Sequence, residues 1–369
     1  MDELLPCNNF NRKIIHLDMD AFYASVEIHD DPTIANKAVI IGQDPRQSNG
    51  HGVVATANYL ARKYGVRSAM TTMQALRLVP AEKLVFIKPN FEKYRRVSDK
   101  IHQLMYEITD AIESVALDEA YMDVTTNKMG NFSALELATN LQKNIYRETG
   151  LTSSFGVSYN KYLAKMGSEY AKPFGRTVIL PDDALEFIAS QRIEKFPGIG
   201  VKMQEQLHEL QIYTGADLQK QNIKFLLDRF NKAGYIIAQQ AKGIDLRPVI
   251  SKRPRKSLGL EHTFDVNIYN YDKLLTWLRN YSCELAQKLR TLNLQTRTVV
   301  IKLRTADFIT ITRRSALAVA TNDAMIIYQH AKSSLEDEID CVSGGVRLLG
   351  LSATDFEQKS YETLSLDLF

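Results

Sequence analysis

The chain has 369 residues, of which 45% are hydrophobic and 24% charged, too many for one average domain of about 150 residues and too apolar for a disordered chain. No apolar run approaches the roughly 20 residues of a membrane helix, and the acidic N-terminus lacks the apolar stretch of a secretory signal, so a reducing cytoplasm is the expected compartment. The 46 Lys and Arg nearly balance 43 Asp and Glu, leaving a net charge of +3 that selects no partner, while three scattered cysteines (Cys7, Cys283, Cys341) make neither a disulfide framework nor a zinc site.

In chain order, Ile14 to Asp18 is a short apolar run ending in acid, followed by a segment from Ala21 to Glu27 that suits a helix. Ala38 to Gly42 and Val53 to Ala55 read as buried strands. Between Asn90 and Asp110, Val97, Ile101, Leu104, Met105 and Ile108 recur at helical spacing. Glu113 to Leu117 and Ala120 to Val124 are predicted strands on either side of Asp118-Glu119. A helix from about Ser133 to Thr149 follows, then a strand from Ser154 to Ser158 and a helix from near Asn160. From about Pro173 to Gly243 the pattern is helical with short loops, marked by Pro197-Gly198-Ile199-Gly200. Lys242 to Lys256 carries six basic residues, one acid (Asp245) and two prolines, which predicts an extended tether, either solvated or lying along a polyanion. Beyond it the order is β-α-β-β-α-β: strands at Leu258 to Phe264, Thr298 to Arg304, Phe308 to Arg313 and Val346 to Leu351, with helices at Tyr271 to Leu292 and Thr321 to Leu335. The whole is predicted to be a multidomain α+β protein.

The acids carry the chemistry. Leu17-Asp18-Met19-Asp20 and Leu117-Asp118-Glu119-Ala120 put carboxylates at strand ends, where burial is costly unless something offsets the charge. Taken singly, such acids are caps or salt-bridge partners. Three gathered from two strands repel one another, and hard divalent cations relieve that repulsion; two Mg²⁺ could serve an in-line phosphoryl displacement.

Residues 17–27 and 114–124 together resemble the two catalytic motifs of the Y-family translesion DNA polymerases. The resemblance continues through residues 54–66, through residues 154–165 and through Ala171-Lys172-Pro173, in family order over nearly the whole chain. It implies a right-hand polymerase with a ferredoxin-like palm (residues 12–21 and 90–172), small fingers (22–89) and a helical thumb with a helix-hairpin-helix (173–241). A basic linker (242–256), a little finger (257–355) and a tail (356–369) complete the implied layout. By motif position, Asp18 and Asp118 would hold the metals, Glu119 would join them beside the primer 3′-hydroxyl, and the Met19 carbonyl would complete one site. Asp20 is read as a structural acid of the strand-to-helix turn.

The resemblance also places Thr56, Tyr59, Arg62 and Lys161 on the triphosphate of a dNTP. Thr56, Tyr59 and Arg62 could share one helix face at three-residue spacings, and Lys161 would stand beside an amide-rich helix start. Tyr23 falls at the sugar-selecting gate, where an aromatic ring excludes a 2′-hydroxyl by clash. Gly198 and Gly200, followed by Lys202, resemble a helix-hairpin-helix that holds a phosphate of primer-template DNA without reading bases. Lys256, Lys302, Arg304, Arg313 and Arg314 would add salt-sensitive affinity.

Ser365-Leu366-Asp367-Leu368-Phe369 resembles a sliding-clamp pentapeptide, with Leu366, Leu368 and Phe369 as the docking side chains and Ser365 where the motif prefers glutamine. Thr71 stands where relatives usually have proline, and residues 1–11 match nothing. The expectation is an error-prone, template-directed polymerase without proofreading, acting as a monomer. A cyclase-like palm without DNA, or a DNA-binding factor without catalysis, are the rival readings. The hairpin, the basic tether and the last domain oppose the first; the intact acids oppose the second.

Overall fold

A computed structural model describes residues 5–358, apart from the side chains of residues 341 and 358. The elements, in order, are β1 (Ile14–Met19), α1 (Phe22–Asp30), β2 (Ala38–Ile41), β3 (Thr56–Ala57), α2 (Tyr59–Lys63), α3 (Thr72–Leu78), β4 (Leu84–Ile87) and α4 (Phe91–Tyr106). There follow β5 (Ile112–Ser114), β6 (Glu119–Asp123), α5 (Ala134–Thr149), β7 (Ser153–Ser158), α6 (Lys161–Tyr170), β8 (Arg176–Val178), α7 (Ala184–Ser190), α8 (Val201–Glu209), α9 (Gly215–Gln219) and α10 (Ile223–Ala241). The last group is β9 (Ser257–Ile268), α11 (Tyr271–Thr291), β10 (Leu294–Thr305), β11 (Thr310–Thr321), α12 (Ala324–Glu336), α13 (Ile339–Ser343) and β12 (Val346–Gln358). The chain divides into two compact units, residues 1–252 and 253–369.

In the first unit, β1 is the middle strand of a sheet ordered β5-β6-β1-β7-β8, antiparallel to both neighbours. Strand side chains alternate between faces. Ile15, Leu17 and Met19 therefore enter a large apolar core with residues of α4 and α5, such as Tyr94, Ile101, Leu141 and Ile145. His16 takes the opposite face, where its Nδ1 lies 2.7 Å from the Ser168 Oγ of α6. That helix approaches closely because β7 offers Gly156 there: a Cβ at this position would come within 2.1 Å of the Ala164 carbonyl oxygen and 2.5 Å of the Ser168 nitrogen. A small sheet ordered β3-β2-β4 carries α2 and α3 with a core of its own, including Ile40, Val54, Ala61 and Ala75. The predicted strand at Val53 to Ala55 is a single bridge, Val53 to Thr71, and the strand starts later, at Thr56.

Helices α7 to α10 bury Ile188, Phe196, Leu207, Leu226 and Ile237. The segment expected to be an extended tether is bonded to the first unit over much of its length. The Gly243 carbonyl accepts from the Asn8 amide, the Tyr159 hydroxyl and the Asn160 amide. Asp245 accepts from the Tyr162 N–H at 3.1 Å and pairs with Arg247. The Ile250 N–H donates to Glu113 at 2.9 Å. Local hydrogen bonds override the composition of the segment, since its one acid answers an amide at the start of α6 and its nearest arginine together. Within the N-terminal segment that matches no motif, Asn8 is docked by its bonds to Gly243 and Asp245.

The second unit has the predicted β-α-β-β-α-β order with one short added helix, on a sheet ordered β11-β10-β12-β9. Its core joins Leu278, Leu285, Ile301, Leu303, Ile327 and Leu349. Strand β12 runs on through Phe356 opposite Thr296, beyond the expected start of the tail. The pentapeptide with Leu366, Leu368 and Phe369 lies outside the described residues.

Candidate active site

The register of the first sheet assembles the acids. Asp18 lies opposite Glu119 where β1 and β6 pair, and the Met19 N–H donates to the Asp118 carbonyl at 2.9 Å. Acids a hundred positions apart thus meet at one end of the sheet. The turn that follows β1 requires Ala21 in the left-handed region (φ 47, ψ 46), from which α1 starts. Asp20 is buried in this turn and fully engaged: Oδ1 accepts from the Ser154 hydroxyl at 2.8 Å and the Tyr59 hydroxyl at 3.3 Å, and Oδ2 from the Phe174 N–H at 2.9 Å.

Beside these acids lies a cleft of about 340 Å³, lined by Asp18, Met19, Tyr23, Thr56, Arg62, Ser68, Asp118, Glu169 and Lys172, among others. Its polar walls bring anions and cations together. Lys172 Nζ is 2.6 Å from Asp18 and 2.9 Å from Glu169. Lys165 binds Glu119, and His16 Nε2 stands 3.4 Å from the same Glu119 oxygen. Burial pushes the Asp18 carboxyl up to about 8 against the pull of Lys172. Burial also opposes the Lys172 ammonium, yet the charges of Asp18 and Glu169 raise it above its ordinary value. The two directions are compatible because two carboxylates share one ammonium, leaving surplus negative charge. Asp118 is raised as well, chiefly by burial. Burial would raise Glu119 too, but His16 and Lys165 hold it down at about 2. Burial lowers the fully buried His16 to about 4. Surplus buried negative charge beside hard oxygen donors is a fit for divalent cations.

The aromatic wall is layered. Tyr23 stacks on Tyr94 with centroids 4.4 Å apart and meets Phe91 edge-on. Tyr94 is held in turn by its hydroxyl, which donates to Glu27 at 2.7 Å.

Two of the expected contacts need correction. Thr56 and Arg62 line the cleft, but Thr56 does not share a helix face with Tyr59 and Arg62, because α2 begins only at Tyr59 and Thr56 sits on β3. Arg62 lies over the Tyr59 ring at 5.1 Å and donates from Nε to the Ala57 carbonyl. Lys161 is the clearer error. It is buried, with Nζ 2.6 Å from Glu113 and 4.7 Å from the Tyr121 ring centroid, and it does not line the cleft. The helix start it was to serve is already bonded, by Asn160 as the N-cap and by Asp245. The lysine in the cleft is Lys172, seven residues beyond the motif that ends at Lys165, and the readable signal was Ala171-Lys172-Pro173. Glu169 gave no separate signal.

In the hairpin, Gly198 adopts φ 92, a conformation glycine accepts freely. Gly200 caps α8 with no side chain on the first amides, and nothing lies within 4 Å of a Cβ built at either glycine. Lys202 is exposed in the first turn. In the second unit, Lys302 and Arg304 pair across from Thr312 and Thr310, and Lys302 also reaches Glu261 at 2.9 Å. Arg314 bonds Asp355. Arg313 does not join them: it lies opposite the buried Ile301, on the other face, paired with Glu338. Consecutive strand residues cannot share a face. Lys256 is exposed just before β9.

Comparison with known proteins follows the same division of the chain. Residues 17–169 match the impB/mucB/samB family, residues 255–366 its C-terminal domain and residues 181–212 its helix-hairpin-helix motif. DNA polymerase IV of Streptococcus thermophilus (strain CNRZ 1066) is 44% identical over 360 residues, covering 98% of this chain and 97% of that protein. The chain belongs to the Y family of DNA polymerases. DNA polymerase IV of Streptococcus pyogenes serotype M3 is likewise 44% identical, over 98% of each chain. Among solved structures, a Y-family polymerase chimera, Dbh-Dpo4(243-245)-Dbh, aligns with a TM-score of 0.83 at 27% identity, covering 94% of this chain and all of its own. An insertion ternary complex of Dbh DNA polymerase aligns over the same shares with a TM-score of 0.68 at 26% identity. This Y-family polymerase therefore has the right-hand fold, and its family is one of divalent-metal-dependent enzymes.

Proposed function

We propose that this polymerase extends a primer 3′-hydroxyl from dNTPs by error-prone, template-directed translesion synthesis without proofreading. The observation that carries the reading is the meeting of Asp18, Asp118 and Glu119 at one sheet end beside a cleft that also holds Tyr23, Thr56, Arg62 and Lys172. Asp18, Asp118, Glu119 and the Met19 carbonyl would hold two Mg²⁺, which when bound would ready the 3′-hydroxyl and neutralise phosphate charge. Arg62 and Lys172 bind the triphosphate as a guanidinium fork and a point charge, with the Thr56 hydroxyl as a further donor. Tyr59 supports the group from behind, through Asp20. The Tyr23 ring, backed by Tyr94, lies under the sugar and admits deoxyribose. The uncapped amides after Gly198 and Gly200, with Lys202, hold a backbone phosphate; Lys256, Lys302, Arg304 and Arg314 add charge along the duplex.

Palm, fingers, thumb, linker and little finger follow the sequence boundaries, with the first half of the linker assigned to the body of the first unit. The enzyme works as a cytoplasmic monomer, and Leu366, Leu368 and Phe369 dock on the sliding clamp. No helix among the described residues is long and apolar enough to cross a membrane. The deciding experiment is primer extension by a variant carrying Asp118→Ala and Glu119→Ala. Extension is expected to be lost, and a variant that still extends primers overturns the assignment.

A further inference from the structure

We infer that His16, Asp18 and Glu119 form a site for a borderline transition cation, Co²⁺ or Zn²⁺, in which the imidazole Nε2 supplies a nitrogen ligand that Mg²⁺ leaves unused; this rests on the reading of Asp18 and Glu119 as metal ligands.

Ser168 can hold the tautomer that a metal ligand needs, with the proton on Nδ1. With the Ser168 hydroxyl hydrogen on the Lys165 carbonyl, 2.9 Å away, its oxygen accepts from the His16 Nδ1–H across 2.7 Å. Nε2 is then a bare lone pair. It is completely buried, has no hydrogen-bond partner, and faces the Glu119 Oε2 at 3.4 Å. With no ion bound, the other tautomer turns an N–H toward Glu119, in keeping with the hold of His16 on that carboxyl. In the Nδ1–H tautomer two electron-pair donors face each other, an arrangement that a cation between them relieves. Their separation exceeds a hydrogen bond but equals the edge, about 3.4 Å, of a tetrahedron around an ion with bonds of about 2.0–2.1 Å. One oxygen of Asp18 completes the group, all three ligand atoms lying within 4.8 Å of one another. Among the described residues no other trio of His, Cys or carboxylate groups is so disposed.

The surroundings fit a ligating histidine, which characteristically fixes its second ring nitrogen through a hydrogen bond, here to Ser168. Imidazole favours Co²⁺ and Zn²⁺, whereas Mg²⁺ prefers oxygen. Lys165 on Glu119 and Lys172 on Asp18 are the charges an arriving ion replaces. Ammonium leaves and divalent ion enters, so the carboxylates stay compensated throughout.

The test titrates the full-length, DNA-free polymerase with Co²⁺, reading its visible absorption, and with Zn²⁺ and Mg²⁺ by competition. His16→Phe keeps a ring against Tyr121, whose centroid is 4.5 Å away, but removes the lone pair. Wild type is expected to give a spectrum of low coordination with nitrogen present. His16→Phe should weaken Co²⁺ by at least about tenfold, and Ser168→Ala by about tenfold, while Mg²⁺ affinity moves by less than about twofold. Equal Co²⁺ affinity in wild type and His16→Phe overturns the inference. So does a wild-type Co²⁺ spectrum of six oxygen ligands, a result that does not depend on any variant folding. If Co²⁺ ignores His16 while Asp118→Ala with Glu119→Ala abolishes extension, this inference alone falls. If that double variant still extends primers, the reading of the active site falls instead.

Discussion

Tyr23 rests on a ring that cannot retreat, because Tyr94 beneath it is buried and tied to Glu27. A 2′-hydroxyl would have to overpack this wall, at a cost of about 1–3 kcal/mol. Tyr23→Ala is therefore expected to raise ribonucleotide incorporation by about 10- to 100-fold with dNTP use retained, as read from single-nucleotide kinetics; unchanged sugar selectivity would remove Tyr23 from the gate. The two lysines separate in a similar way. Lys172→Ala should raise the KM for dNTP by about tenfold or more, the worth of a charged hydrogen bond to phosphate. Lys161→Met should instead lower stability by about 3 kcal/mol, by leaving Glu113 short of its buried partner, and should leave KM close to wild type. Denaturant unfolding and steady-state kinetics on both variants distinguish the roles. Asp18 predicts a pH effect. Without metal, its folded-state value is about 8, against about 3.9 in the unfolded chain. A group raised in this way stabilises the fold fully below the unfolded value and loses that contribution as pH rises through about 8. Unfolding in EDTA between about pH 6 and about pH 9 should show stability falling, and Asp18→Asn should flatten the slope. At this scale short motifs mark the acids and Tyr23, and the fold brings Asp18, Asp118 and Tyr23 to one cleft. The sequence misplaced Lys161, because a lysine near a helix start looks the same whether it faces phosphate or a buried glutamate.

Elements explain why those motifs function as a unit. Strand pairing alone sets Asp18 against Glu119, and alternation sends His16 toward Ser168 and away from the apolar core. Helical periodicity and capping were legible: α4 and α5 lie within a residue or a few of their predicted bounds, and Ser133 caps α5 with Glu136 as a reciprocal partner. Thr71, the departure from the usual proline, caps α3 with Gln74 in the same fashion, so hydrogen bonding replaces ring stiffness at that loop. Pairing partners were not legible. Neither the late start of β3 nor the bonding of Asp245 to α6 leaves a trace in composition. Arg313 could have been sorted from Arg314 by parity alone, since neighbours on a strand face opposite ways.

At the scale of the molecule, the two units have separate cores, as the change of pattern after the basic segment implied. The last five residues belong to neither prediction of core. Their deletion should remove stimulation by the sliding clamp while leaving unaided primer extension within about twofold of wild type, since chain ends commonly tolerate truncation. Undiminished clamp-dependent processivity would show that the tail is not the docking element.

Lys165 and Lys172 give Glu119 and Asp18, the proposed metal ligands, resident counterions. A protein so furnished does not depend on dissolved ions for its shape, in contrast to small domains that collapse when a chelator takes their zinc. On the proposed reading it can wait through magnesium scarcity as an assembled but silent tool, with Lys172 freed to meet phosphate when the ions return.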